Sequence, residues 1–253
     1  MKKFFVISDV HGFYNEMKKS LYKAGYRKSN KNHILIVCGD IFDRGPDSVK
    51  IYNFLKSLPR NRRVLIRGNH EMLLKKLVER GYFCKHDYHN GTLGTVCQFT
   101  GYTYYDCVKI PGQVLEDFNN LGVLQWIFSE DWVNYWEYKN YIFVHSWIPL
   151  IINDGLPMYY TENRNFEFKT DWRESTDSEW EGAMWGCPYK LLLQGLYPAD
   201  KTIVCGHWHA RDFHTYVENK AEADDSIFIS DNCIALDACT VLSGKCHVYS
   251  FDE

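Results

Sequence analysis

Five short apolar runs in this chain each break off at a residue able to bind a cation or carry a proton, and that repetition limits the fold more than any other feature. Phe4-Phe5-Val6-Ile7 leads to Asp9 and His11, His33 to Cys38 leads to Gly39-Asp40, and Val64-Leu65-Ile66 leads to Gly68-Asn69-His70. Tyr141-Ile142-Phe143-Val144 runs into His145, and Thr202-Ile203-Val204-Cys205 runs into Gly206-His207, with His209 two residues on. Apolar runs of this length, bounded by glycine or a polar turn, read as buried strands. Helical spacing follows each of the first three: Asn15 to Ala24 before Gly25, Asp47 to Leu58 before Pro59, and Glu71 to Arg80 before Gly81. Tandem βα units imply a mostly parallel sheet with helices against it, so the expected fold class is α/β.

Beyond His145 the pattern loosens. Residues 148 to 200 hold Tyr159, Tyr160, Trp172, Trp180 and Trp185 among polar residues without a clean period, which reads as a cap inserted into a single domain spanning 1–253. In the tail, Ile227-Phe228-Ile229, Ile234-Ala235-Leu236 and His247-Val248-Tyr249 read as a closing antiparallel meander. A chain of 253 residues can bury a substantial core and still shape a cleft.

Charge and composition narrow the partners. With 29 Lys+Arg against 32 Asp+Glu and no basic stripe, a stable nucleic-acid partner is not expected. No uncharged apolar stretch is long enough for a bilayer, so no membrane partner is expected either. The apolar run after Met1-Lys2-Lys3 stops at Ser8-Asp9, shorter than the core of a signal peptide. Nine cysteines, with Cys38, Cys205 and Cys233 inside apolar runs, fit reduced thiols in a cytoplasmic protein.

In an α/β sheet the loops at the carboxyl ends of strands gather at one edge, so residues far apart in sequence can converge there. Asp9, His11, Asp40, Asn69, His145, His207 and His209 offer carboxylate oxygen, amide oxygen and imidazole, enough for two divalent ions sharing one carboxylate. Any one of them alone is an ordinary turn or core residue. Five strand ends carrying the same chemistry are not.

Asp9-Val10-His11-Gly12, Gly39-Asp40-Ile41-Phe42-Asp43-Arg44-Gly45 and Gly68-Asn69-His70-Glu71 resemble the three signature motifs of phosphoprotein phosphatases within the calcineurin-like metallophosphoesterases. Cys233 to Cys239, continuing through Gly244-Lys245, also resembles that family's closing strands. The resemblance spans the chain apart from roughly residues 82 to 140 and 148 to 200. It implies a layered αββα fold, a central β-sandwich flanked by helices, and a metal-dependent phosphoric ester hydrolase that activates water between two divalent ions. Manganese is the choice by resemblance, with iron or zinc compatible. Carried over, the family's pattern puts Asp9 and His11 on one metal, Asp40 between the two, and Asn69, His145 and His207 on the second. His209 would join the first. Arg44 would grip phosphoryl oxygens beside Asn69 and His145, and His70 would protonate the departing oxygen with Asp43 orienting its ring. Glu71 is expected to serve the start of its helix through the helix dipole.

Three departures from the pattern carry expectations. Ser8 replaces a glycine and should matter little. Trp147 follows His145-Ser146 where small residues are usual, and should crowd or shape the phosphate pocket. A second phosphate-binding arginine usually follows a Leu-Trp-like pair; here Ala183-Met184-Trp185 precedes Gly186-Cys187, leaving Arg164 and Arg173 as alternatives. Two substrate readings compete. A serine/threonine or broad-specificity protein phosphatase, acting on phosphorylated protein or a small phosphoester, is favoured by Asp43-Arg44 and Glu71. A symmetrical dinucleoside tetraphosphate hydrolase is favoured by Gly206-His207-Trp208 and the aromatic cap, although that relative usually lacks the Asp before Arg. A catalytically silent metal-binding module is the third reading, opposed by the complete ligand set and the Asp43/His70 pair.

Overall fold

The computed structural model describes residues 1–153, 158 and 166–253. In its first half, β1 (Lys3–Ile7), α1 (Tyr14–Lys23), β2 (His33–Cys38), α2 (Ser48–Lys56), β3 (Arg63–Ile66) and α3 (Asn69–Arg80) alternate as the apolar runs require. Five short helices follow: α4 (Lys85–Asn90), α5 (Thr92–Thr100), α6 (Tyr104–Lys109), α7 (Pro111–Asn120) and α8 (Val123–Ile127). Then come β4 (Trp132–Val133), β5 (Trp136–Tyr138) and β6 (Tyr141–Phe143). The remainder comprises β7 (Ile151–Ile152), β8 (Phe166–Glu167), α9 (Asp177–Ala183), α10 (Pro188–Leu193), β9 (Thr202–His209), α11 (Ala210–Tyr216), β10 (Phe228–Ile229), β11 (Cys233–Asp237), α12 (Thr240–Ser243) and β12 (Tyr249–Asp252).

Two five-stranded sheets result, ordered β12-β1-β2-β3-β4 and β10-β11-β9-β6-β5, while β7 and β8 pair separately. Within the first, β1 to β4 run parallel. Because side chains alternate across a strand, Phe4, Val6, Ile34, Ile36 and Cys38 face Phe143, Val204, Ile234 and Leu236 of the second sheet. Phe5, Ile7, Leu35, Val37 and Leu65 point the other way, into a core shared with the helices of the first half. The second sheet buries its outer face under Trp147, Trp172, Trp180, Leu191 and Phe213. The order is therefore helix, sheet, sheet, helix, and burial on both faces explains why these strands read as unbroken apolar runs. No helix among the described residues is long and apolar enough to cross a membrane.

The tail departs from the expected meander. β11 lies parallel to β9 and antiparallel to β10, whereas β12 leaves for the first sheet and pairs antiparallel with β1. A meander would have left β1, four of whose five residues are buried, as an edge with unpaired backbone groups. Of the aromatic residues assigned to a cap, Trp172 and Trp180 are buried and pack on Tyr135, with ring centroids 5.0 Å from it in each case. Tyr159 and Tyr160 lie outside the described residues.

Candidate active site

The carboxyl ends of β1, β2, β3, β6 and β9 meet at one edge of the two sheets. Six of the nine described non-glycine residues with positive φ are there: Asp9, His11, Asp40, Asp43, Arg44 and His207. Left-handed backbone is unfavourable for such residues and persists only where surroundings hold it, so strain concentrates where the candidate ligands are. Glycines let the strand ends approach this closely. A Cβ on Gly39 would lie 2.7 Å from the Gly68 backbone and from His145 Nδ1, and one on Gly206 would overlap Ser8 Oγ and Asp9 Oδ2.

Asp40 lies between two groups of side chains. Its Oδ2 is 3.7 Å from His11 Nε2 and 3.8 Å from His70 Nε2, while its Oδ1 is 3.5 Å from His145 Nε2. His207 completes the second group, so one carboxylate is shared by two clusters spaced for metal ions. Asn69 belongs beside the second: its Oδ1 is 2.7 Å from His145 Nε2, and His207 Nδ1 is 3.2 Å from the same nitrogen. Asp9 flanks the first, with Oδ1 3.9 Å from His11 Nε2.

The chemistry of these donors fits divalent cations. His145 Nδ1 bonds the Cys38 carbonyl at 2.9 Å and His11 Nδ1 bonds the Phe42 carbonyl at 3.0 Å. A ring nitrogen facing a carbonyl carries the hydrogen, so it is Nε2 that each ring turns toward the site. His145 Nε2, Asn69 Oδ1 and Asp40 Oδ1 thus gather as atoms able to donate a lone pair to a cation. Electrostatics point the same way. Burial holds Asp40 well above the usual carboxylate range, with the nearby Glu71 charge adding to it, and burial raises Asp9 to about 6. Burial also lowers His11 and His207 well below an ordinary imidazole, reinforced by neighbouring imidazoles. Acids that resist ionisation beside bases that resist protonation mark a site where burial disfavours charge on either kind of group. Residues of oxygen and imidazole type at this spacing suit two such ions.

Beside the first cluster, His70 Nδ1 donates to Asp43 Oδ2 at 2.7 Å, and both residues are buried. Arg44 reaches over them, with Nη1 2.9 Å from His11 Nε2 and Nη2 3.1 Å from His70 Nε2. Burial raises Asp43 to about 7 against the pull of the Thr95 and Thr92 hydroxyls, and burial followed by the Arg44 charge lowers His70. Next to His207 opens a cleft of about 650 Å³ lined by Lys76, His86, Trp185 and Trp208.

Several expectations need correction, although the place expected for His209 beside Asp9 and His11 stays an expectation: its side chain is 46% exposed and lies 3.8 Å from Asp237 and 3.9 Å from Asp212. Trp147 does not enter the phosphate pocket, because its ring is buried in the core beneath the second sheet and its Nε1 donates to the Leu196 carbonyl at 2.8 Å. Arg173 is engaged elsewhere, bidentate on Glu137 at 2.5 and 2.9 Å and lying over Trp172. Arg164 lies outside the described residues. Ser8 matters more than expected, since its Oγ is 2.5 Å from Asp9 Oδ2. Glu71 does more than open its helix: its carboxylate accepts from the backbone N–H groups of Gly68 (2.7 Å), Asp40 (2.9 Å) and Ile41 (3.0 Å), tying the third motif to the second.

A sequence profile of the calcineurin-like phosphoesterase family matches residues 2–211. A symmetrical bis(5'-nucleosyl)-tetraphosphatase of Buchnera aphidicola subsp. Schizaphis graminum is 43% identical over 70 residues, 28% of this chain and 24% of that relative. An asymmetrical bis(5'-nucleosyl)-tetraphosphatase, PrpE, of Oceanobacillus iheyensis is 38% identical over 72 residues, 26% of this chain and 29% of the relative. The matched stretch thus spans about a quarter of these relatives' lengths. Among solved structures, a protein-tyrosine phosphatase of a psychrophilic Shewanella superposes with a TM-score of 0.54 at 14% identity, covering 100% of this chain and 76% of the other. A structure provisionally assigned as a diadenosine tetraphosphatase gives 0.53 at 17% identity, covering 99% and 89%. At these identities the likeness is one of fold.

Proposed function

This chain belongs to the calcineurin-like phosphoesterase family, and from that premise we propose that it is a dinuclear metal-dependent hydrolase of small phosphoesters. The observation carrying the reading is Asp40, which turns one oxygen toward His11 and His70 and the other toward His145, and which groups with both His11/His70 and His145/His207. Asp9, His11 and Asp40 would hold one ion, and Asp40, Asn69, His145 and His207 the other. When bound, such ions supply charge to the phosphoryl oxygens and an acidified water as nucleophile. Manganese is the proposed metal.

Arg44 spans the first cluster with a planar fork suited to two phosphoryl oxygens. Turning to a bound phosphate would release His70 Nε2 toward the departing oxygen, and a dianion would favour a proton there. Asp43 keeps Nδ1 of that ring occupied, so Nε2 is the nitrogen that exchanges the proton.

Dinucleoside polyphosphates are the proposed substrate class. Two tryptophans, an imidazole and Lys76 line the cleft beside His207, and flat indole faces suit a purine. The relatives' names point to the same chemistry. The Asp43/His70 pair favours a second reading, a phosphoserine or phosphothreonine peptide. An alkoxide needs a proton to depart, whereas a nucleotide leaves as a stable anion. Rates of the manganese-loaded protein on diadenosine tetraphosphate and on a phosphoserine peptide decide between them. Faster dinucleotide cleavage supports the proposed class, faster peptide hydrolysis replaces it with the second, and turnover of neither sinks the enzymatic reading.

A further inference from the structure

Asp43 and Arg44 both have left-handed backbone, with φ of 71° and 62°. Two consecutive strained residues need external support, and one face of α5 supplies it. Residues three apart on a helix point the same way, and Thr92, Thr95 and Gln98 are so spaced. The Thr92 hydroxyl donates to Asp43 Oδ2 at 2.8 Å and the Thr95 hydroxyl donates to Asp43 Oδ1 at 2.7 Å. Thr95 Oγ1 also accepts the Asp43 backbone N–H at 3.0 Å. One turn on, Gln98 donates to the Gly45 carbonyl at 2.9 Å and accepts the Ser48 N–H at 2.8 Å. The helix cannot drift from this loop, because Gly91 rests against the Arg44 backbone where a Cβ would overlap Arg44 N. Both threonines are fully buried.

We propose that Thr92 and Thr95 are positioning residues that hold the Asp43 carboxylate toward His70. The proposal rests on the acid role given above to His70. Asp43 Oδ2 receives both His70 Nδ1 and the Thr92 hydroxyl, and Oδ1 is fixed by Thr95, so neither oxygen can rotate away without losing a buried hydrogen bond. The imidazole is thereby locked with Nε2 toward Asp40 and Arg44. Valine in place of threonine keeps the shape and removes the donors, leaving Asp43 free to turn.

A role in positioning differs from plain stability in its dependence on the leaving group. With manganese-loaded protein, Thr92→Val/Thr95→Val should lower kcat about tenfold more for phenyl phosphate than for 4-nitrophenyl phosphate, whose anion departs without help. Thr92→Ser/Thr95→Ser should restore the wild-type ratio. Equal losses on both esters, or an unchanged ratio, would overturn the proposal. A second readout needs no turnover: in metal-free protein the imidazole N–H proton of His70, assigned by its absence in His70→Asn, should resonate far downfield and be shifted or lost in the double valine variant. If wild type hydrolyses neither ester, activity on these monoesters is excluded, while the reading as a dinucleoside polyphosphate hydrolase is decided by its own assay above. The resonance still decides the positioning claim, and its persistence unmoved in the valine variant refutes it.

Discussion

Replacing Glu71 with Gln should damage the site from beneath without touching any candidate ligand. The Glu71 carboxylate is fully buried and ends three backbone N–H groups, those of Gly68, Asp40 and Ile41. An amide keeps one oxygen for the first two and turns a donor toward the third. Stranding a buried N–H costs about 1–3 kcal/mol, and loss of charge from the two remaining bonds costs about 1 kcal/mol each. Relief of repulsion with Asp40, which lies close enough for the Glu71 charge to raise it, offsets about 1 kcal/mol. The net expectation is a loss of about 2–4 kcal/mol, or roughly 4–8 °C in Tm for a chain this size. Urea unfolding followed by tryptophan fluorescence reads the stability, and manganese titration reads the site. Affinity should fall with stability, because Ile41 loses its anchor and the bond that holds the Asp40 backbone weakens. A variant within about 0.5 kcal/mol of wild type and with the same metal affinity would refute this account of Glu71.

Other perturbations test other links. Gly206→Ala should abolish tight manganese binding, read by calorimetry, because the new methyl overlaps Ser8 Oγ and Asp9 Oδ2. Trp208→Ala should raise KM for diadenosine tetraphosphate about tenfold while barely moving that for phenyl phosphate, if the cleft takes a base. Asp9 is raised by burial from 3.8 to about 6, so its contribution to metal-free stability is complete below about pH 4 and is lost as pH rises through about 6. In chelator, denaturation should therefore show the balance between wild type and Asp9→Asn shifting toward the variant by about 2–3 kcal/mol from pH 4 to pH 7.

What could be read from the residues alone was governed by periodicity and punctuation. β1, β2 and β3 are buried on both faces, so their apolar runs are unbroken, and Gly81 and Pro59 mark where helices stop. Convergence of the ligands followed from strand ends gathering at one sheet edge, whereas the place of Asp40 between two ions was what the family resemblance implied. Contacts across long stretches of chain were not legible. Thr92 and Thr95 meet Asp43 only because α5 folds back across about fifty residues, and short helices broken by Gly91, Gly101 and Gly122 leave a weak periodic signal. Side-chain direction was equally hidden: Trp147 is adjacent to Ser146 at the site but points into the core. The closing strands were misread because strand propensity says nothing about which sheet a strand joins, and β12 completes the edge beside β1.

The central claim is a site for two ions sharing Asp40, and metal stoichiometry tests it most directly. Protein dialysed against manganese and then analysed for bound metal should carry two ions per chain, and Asp40→Asn should retain no more than one while staying folded. One ion or none in wild type, or two in Asp40→Asn, would contradict the account.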